Sequence, residues 1–566
     1  MTLFSPRRLA AAAAAALLLA GLAPAPPAAA ADPAYQVLVF SKTAGFRHDA
    51  IAVGIQTVRD LGAANNFTVT ATEDATAFTA TNLARFKAVV FLNTTGDVLD
   101  ATQQSAFESY VNGGGGYVGV HSAADTEYNW PWYGQLVGAW FASHPAIQQA
   151  TVRVEDRAHA ASAHLPQSWT RTDEWYNYRT NPRSAVRVLA RLDESSYFGG
   201  SMGDHPIAWC HPQSAGRAFY TGLGHTQASY AEAAFRAHLL GGIRYAAGWA
   251  RADCRPETGY TSLYNGSTTG WTQAGPGSFT NADATLSSSG GLGTYWYSAR
   301  QFRSYSLKLD WRLAGDDNSG VMIGYDSTAT PASGTSGGYE IQLDATDAAD
   351  RTTGAVYAVK APDVAARDAA LNPPGGWNTY ELLVQGERVQ VYLNGVKIND
   401  FTNTDPTRSL QQGYIGLQNH GTGDDVSFRN VRIKELNAAA VTVEGESYSS
   451  SAGVQIANHA PASGGRTLGY INNGDWVGYA QVSTVGRTGF SARISSAGAG
   501  GTIQIRSGSS TGPLLGSVAV PNTGGWETFQ TVSTTLTGTG TGPLCLVFTG
   551  GSGSLFDVDT VTVTGG

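Results

Sequence analysis

A chain of 566 residues is longer than one hydrophobic core supports, so about three domains are expected. Its formal net charge of −8 and the lack of any Lys/Arg cluster exclude the basic footprint of a nucleic-acid partner. Beyond the N-terminal stretch no segment reaches about 18 apolar residues, which argues against membrane insertion.

The chain opens with a charged pair, Arg7-Arg8, an apolar stretch Leu9 to Leu22 and a small-residue run Ala28 to Ala31 before Asp32. This is the pattern of an export signal, so residues 1–31 are read as a signal peptide and the mature protein is expected to be secreted and extracellular.

Residues 34–249 alternate strand and helix signals. Tyr35 to Phe40, Phe86 to Leu92 and Gly116 to Val120 are apolar strand-like runs, and Asp49 to Leu61, Ala101 to Val111 and Tyr230 to Ala247 are helical. The alternation implies an α/β domain with a parallel sheet covered on both faces. Gly248 to Gly259 reads as a linker. Residues 260–436 change to a period of two, as in Tyr305, Leu307, Leu309 and Trp311, and Asn394-Gly395 marks a hairpin between Val389–Leu393 and Val396–Ile398. Many short strands indicate a β-sandwich or jelly roll. A second linker, 437–440, leads to another all-β segment, 441–564. Of the three cysteines, Cys210 and Cys254 either pair or remain thiols, while Cys545 lies in an apolar run and is expected in a core.

In open parallel sheets, ligands gather beyond the carboxyl ends of the strands. His48 follows the first strand, His121 and Asp125 follow Gly116–Val120, His225 closes Gly222-Leu223-Gly224, and His144 and Glu174 lie in intervening loops. Any one of these can be an ordinary hydrogen-bonded loop residue; together they read as a polar site. The phrases Thr43 to His48, Gly114 to Thr126 and Gly216 to His225 resemble the trehalose-utilisation (ThuA-like) family. That resemblance implies the α/β architecture of class I glutamine amidotransferases, a flavodoxin-like parallel sheet. The amidotransferase chemistry itself is excluded, because His121 stands where that group places a nucleophilic Cys. Imidazoles and carboxylates here suit acid-base steps or a divalent metal.

In the middle segment Glu340, Gln342 and Asp344 share one strand face, and Tyr414, Gln418 and His420 share another. These faces read as a wet surface for a hydroxyl-rich ligand, or as an ordinary solvent-facing sheet. Asn318-Ser319-Gly320-Val321, Gly338 to Gln342, Trp377 to Glu381 and Gly413 to His420 resemble the 3-keto-disaccharide hydrolase domain, a concanavalin-like jelly roll. A family 16 type endoglucanase is disfavoured: Gln342 replaces a required Asp, and Glu340 and Asp344 lie ~13 Å apart along a strand, too far for a glycosidase pair. The resemblance implies cleavage of a sugar oxidised at its third carbon. A base, Glu340 or His420, removes the C2 proton, a metal or hydrogen-bond donors hold the enolate, and Gln342, Asp344 and Gln418 orient the ring.

In the last segment, Glu444 to Tyr448, Gly469 to Trp476, Gly525 to Phe529 and Leu555 to Asp559 are similar to a family 6 carbohydrate-binding module, a β-sandwich. The resemblance implies that Tyr470 and Trp526 stack on sugar rings, with Gln455 and Asp557 in the same cleft. Asp557 stands where the family usually has Asn. Glu444, Glu446 and Asp559 match the family's structural calcium site. Trp476 is expected in the core.

The expected protein is therefore a multidomain carbohydrate-active enzyme acting on polysaccharide or oligosaccharide. Two alternatives remain at this point: a non-catalytic glycan-binding or adhesion protein, and catalysis in the ThuA-like domain with the jelly roll only binding.

Overall fold

The computed structural model describes residues 32–325, 337–436, 440–537 and 540–565. The signal-peptide reading and most of the second linker lie outside the described residues.

The first domain is built on one sheet. Its strands, with a small side pair, are β1 (Tyr35–Phe40), β2 (Phe67–Thr72), β3 (Ala88–Leu92), β4 (Gly116–Val120), β5 (Phe141–Ser143), β6 (Gln148–Val154), β7 (Ser168–Asp173), β8 (Asn177–Tyr178), β9 (Arg187–Leu192), β10 (His205–Gln213) and β11 (Gly216–Thr221). The nine-stranded order is β2-β1-β3-β4-β11-β10-β9-β6-β7, and β5 pairs with β8 alone. Strands β3 and β4 are buried throughout, as central strands covered on both faces must be. Helices Ile51–Ala64, Ala101–Asn112 and Ala233–Ala246 form close to where periodicity placed them. The helix at Ala101 starts at a capping box between Asp100 and Gln103.

The sheet is mixed rather than wholly parallel. Strands β2, β1, β3, β4 and β11 are parallel, whereas β10, β9, β6 and β7 continue the sheet antiparallel. The cause is local: β10 and β11 are joined only by Ser214-Ala215, with Ser214 at φ 52°. So short a connection makes a hairpin, because a parallel neighbour needs a crossover of a dozen residues or more.

The middle domain is a sandwich of an eight-stranded and a five-stranded sheet. In the smaller sheet the order is Trp271–Ala274, Gly293–Tyr297, Tyr414–Asn419, Asn318–Tyr325, Tyr339–Asp344. Asn394 and Gly395, at φ 48° and 85°, close the expected hairpin as a type I′ turn demands. The last domain is a second sandwich, of six- and five-stranded sheets. Cys545 is buried and free. Trp476 departs from expectation. It is half-buried, while Val477 and Tyr479 are buried, because strand alternation turns it to the outer face.

Segment 248–259 is no loose tether. Cys254 forms a disulfide with Cys210 of β10. Glu257 pairs with Arg187 of β9, at 2.5 Å, and with Arg432 and Lys308 of the middle domain. Asp253 pairs with Lys308 at 2.9 Å. The polar alternates of Tyr305–Leu313, Ser306, Lys308 and Asp310, are consequently buried. They pack at an interdomain contact rather than facing water.

Candidate functional site

Three clusters of polar and aromatic side chains stand out among the described residues, one per domain. In the first, β1, β4, β7 and β11 deliver side chains to one end of the sheet. His121 occupies the elbow after β4 at φ 50°, a left-handed conformation costly for a residue with a Cβ. Its Nδ1 donates to the Gly222 carbonyl at 3.0 Å. Its Nε2 lies 3.1 Å from His225 Nδ1 and 3.3 Å from Glu174 Oε2. His225 Nδ1 is 3.0 Å from the same oxygen, and His144 Nδ1 is 3.0 Å from Glu174 Oε1. His48 completes the group, its ring 5.0 Å from those of His121 and His225, with Ser122 Oγ 3.3 Å from its Nδ1.

Burial, with help from the neighbouring imidazoles, pushes His48 down to about 3, so it stays neutral. Burial works to raise Glu174, but the His121 and His225 rings against it hold it well below the usual carboxylate range. Asp125 stands apart from the group, accepting from Tyr128 Oη at 2.5 Å, and burial raises its carboxyl. Sequence reasoning missed Asp173, which accepts from the backbone N–H groups of Gly224 and His225 at 2.9 and 3.1 Å. Its signal was the buried alternation Trp169, Arg171, Asp173. Among the described residues a second metal-like grouping, His159 with Cys210 and Cys254, is spoken for by the disulfide.

In the middle domain the register aligns Gln342 with Gly320 and Glu340 with Met322, which in turn faces Gly416. Gly320 is essential to this face: a Cβ there would sit 2.0 Å from Glu340 Oε1. Glu340 Oε1, Gln342 Oε1 and Gln418 Oε1 are buried and lack hydrogen-bond partners. Burial pushes Glu340 up to about 8, with a hydrogen bond from Gln418 pulling the other way. Beside them Trp296, Tyr325 and Tyr414 form an aromatic group, with Trp296 and Tyr414 rings 4.8 Å apart. Tyr325 Oη also lacks a partner and lies over Gly416, 3.0 Å from where a Cβ would stand. The polar face is thus buried rather than wet, because Met322 and these rings share it. Trp296 and Tyr325 escaped the sequence reading, though the string Tyr295-Trp296-Tyr297 was a signal for the first of them.

Not every residue on that face converges. Asp344 is spent on structure, its Oδ1 accepting from Thr346 and Asp347 N–H and its Oδ2 from Asn318 Nδ2. His420 is half-exposed and paired with Asp424 at 2.9 Å. By register it lies ~13 Å along the strand direction from Glu340, so the two cannot serve one proton.

In the last domain Tyr470 and Trp526 line a cleft of about 300 Å³ with Asn458, His459 and Asp557. Tyr470 is 55% exposed, its ring directed outward. Gln455 is exposed on the neighbouring strand but does not line the cleft. His459, unseen in the sequence reading, bridges Asp557 Oδ2 at 2.9 Å and Glu527 Oε1 at 2.8 Å. Both of its ring nitrogens are taken up by these carboxylates. Its signal was faint, a lone His in a loop.

At the other edge Glu444 Oε2 and Glu446 Oε2 are buried without partners. Burial raises the Glu446 carboxyl, and the charges of Glu444 and Asp559 add to the rise. These oxygens fit a hard cation. Asp559 is already engaged, with Ser463 N–H on Oδ1 and Arg493 on Oδ2.

Comparison with known proteins agrees with this division. Three family models match, described as trehalose utilisation (ThuA) over residues 36–246, a 3-keto-alpha-glucoside-1,2-lyase-like domain over 259–434, and a family 6 carbohydrate binding module over 444–565. Endo-1,4-beta-xylanase A of Thermoclostridium stercorarium is 42% identical over 110 residues, 19% of this chain and 21% of that protein. Arabinoxylan arabinofuranohydrolase of Paenibacillus polymyxa is 42% identical over 125 residues, 21% of this chain and 19% of that protein. The chain thus spans about a fifth of the length of these curated relatives. A solved family 6 carbohydrate-binding module from Clostridium cellulolyticum, in complex with xylose, is 38% identical, covering 22% of this chain and 95% of that one, with a TM-score of 0.21. The class is a modular chain that joins an α/β domain to a β-sandwich matching a lyase-like model and to a carbohydrate-binding module. In particular, it carries a ThuA domain, a 3-keto-glucoside lyase-like domain and a family 6 module, in that order.

Proposed function

We propose that this chain is a secreted enzyme that cleaves 3-keto-glycosides at the Glu340 face and is held near polysaccharide by its C-terminal module. The observation that carries the reading is the convergence of three unpartnered acceptor oxygens, on Glu340, Gln342 and Gln418, with one unpartnered donor, Tyr325 Oη. A ring rich in hydroxyls supplies the complementary groups, and buried polar atoms are stabilised by such partners.

The C3 ketone acidifies the C2 hydrogen. Glu340 takes that proton, and the electron pair forms an enolate whose oxygen accepts from Tyr325. The C1–O bond then breaks, and the departing oxygen leaves as an alcohol after gaining a proton. Water adds across the resulting C1=C2 bond, hydroxyl to C1 and hydrogen to C2, to give the free 3-keto sugar. A carboxyl raised to about 8 is a stronger base than an ordinary glutamate and is matched to work near neutral pH. The Cys210–Cys254 disulfide suits export. Calcium held by Glu444 and Glu446, with Asp559 where Arg493 releases it, would brace the module without entering the reaction. Tyr470 and Trp526 would stack on the sugar rings.

A second reading, catalysis at the His121 cluster, rests on the convergence there of imidazoles and a carboxylate. The buried ion pairs at Glu257 join the first two domains, so point variants of the full chain test the readings better than isolated domains. On a 3-keto-glucoside, Glu340→Gln should abolish alcohol release and His121→Ala should leave it. The reverse outcome moves catalysis to the first domain.

A further inference from the structure

The geometry points to a transition-metal site in the first domain, made by His48, His121, His225 and Glu174, independent of any chemistry at Glu340. One donor atom from each of these four lies within 4.8 Å of all the others. Three of them, His121 Nε2, His225 Nδ1 and Glu174 Oε2, form a triangle with sides of 3.0, 3.1 and 3.3 Å. Donors ~2.1 Å from one ion and ~90–105° apart are separated by ~3.0–3.3 Å. The imidazole planes cross steeply, at 76°, 85° and 87°, so the rings stand around a common point instead of stacking.

The hydrogen bonds outside the triangle orient the donors. The Gly222 carbonyl can only accept, so His121 Nδ1 carries the hydrogen. Nε2 is then the nitrogen turned inward, toward Glu174 Oε2 at 3.3 Å and His225 Nδ1 at 3.1 Å. His144 on Glu174 Oε1, Ser122 on His48 and Asp173 on the backbone of His225 supply the outer contacts that fix metal-ligating side chains elsewhere. Three imidazoles and one carboxylate select a borderline first-row ion such as zinc or cobalt over calcium or magnesium.

Access is from one side. His225 and His144 side chains are 18% and 43% exposed, and Phe46, edge-on to His48 at 4.9 Å, is 67% exposed. An ion here would face solvent beside an apolar ring, leaving a coordination position for water or an oxygen of a hydroxyl-bearing ligand.

The test uses untagged full-length protein, stripped with EDTA, reloaded with cobalt or zinc, desalted and measured by elemental analysis, with visible absorption recorded on the cobalt form. The wild type should retain about one ion per chain and show ligand-field bands, and Glu174→Gln and His121→Ala should each lose at least about tenfold in affinity. His225→Asn, at the exposed edge, gives the same reading if His121→Ala fails to fold. His164→Ala, outside the cluster, should load normally. Negligible loading of the wild type, or equal loading of the wild type and all three cluster variants, would overturn the assignment. Alcohol release dependent on Glu340 is measured separately, so failure of one result leaves the other readable.

Discussion

Glu340 and Gly320 show how one residue depends on another across a strand pair. The bare Cα of Gly320 makes room for the Glu340 carboxyl, so Gly320→Ala should swing that flexible side chain away. Turnover should fall by about two orders of magnitude, the scale of a lost general base, while the melting temperature shifts little; unchanged kcat would show that the position is not critical. The pH profile follows from the same group. The base acts as carboxylate, and its value is pushed up to about 8 from an ordinary 4.5. Therefore kcat/KM should climb about tenfold per pH unit below that value and level above it. The linkage has the opposite sense for stability. The fold binds this proton more tightly than the unfolded chain does, so the contribution is complete at low pH and is lost as pH rises through about 8. Thermal unfolding above that pH should show Glu340→Gln at least as stable as the wild type.

At this scale legibility is uneven. His121 and His225 are readable because each follows an apolar strand, His121 at once and His225 after Gly222-Leu223-Gly224, where a parallel sheet collects its ligands. His459 and Tyr325 are not, since a lone loop histidine and a tyrosine at a strand end look alike whether or not they reach a site. His420 shares a strand face with Gln418, yet face alone does not encode the distance to Glu340.

Among elements, strand Tyr305–Leu313 teaches the most. Its period of two is plain in the sequence, but the pattern cannot tell whether Lys308 and Asp310 face water or another domain. The answer came from Glu257, in a segment rich in loop-forming residues. Burial opposes its charge, but Arg432 and Arg187 hold its carboxyl far below the usual range. Its contribution to stability is present above the unfolded value and lost only at strongly acid pH. Removing the anion leaves Arg187, Arg432 and Lys308 with only Asp156, Asp310 and Asp253 in a buried contact, so Glu257→Gln should destabilise the pair of domains by about 3 kcal/mol, read by urea unfolding. A change below about 1 kcal/mol, the value of an exposed pair, would contradict that role. The outer strands β6 and β7 of the antiparallel extension were hidden for a related reason: they alternate buried and exposed residues and carry no apolar run to announce them.

For the molecule as a whole, the domain order was legible because the change from strand-helix alternation to strand alone marks the first boundary and the short linker at 437–440 the second. What the sequence could not convey is how firmly the first two domains are joined. On the proposed function, the C-terminal module would supply local concentration through Tyr470 and Trp526. Trp526→Ala should cut retention on xylan or glucan gels by at least about tenfold, given the worth of a stacked aromatic, while leaving rates on soluble 3-keto-glycosides unchanged. Equal retention would remove that cleft from the account.

The most direct test of cleavage at the Glu340 face is turnover of a 3-keto-glucoside in D₂O with early sampling of the sugar product. Elimination followed by hydration places one solvent deuterium at C2 for each molecule of alcohol released, and Glu340→Gln should abolish both together. Rapid alcohol release with C2 still carrying its original hydrogen would contradict the mechanism.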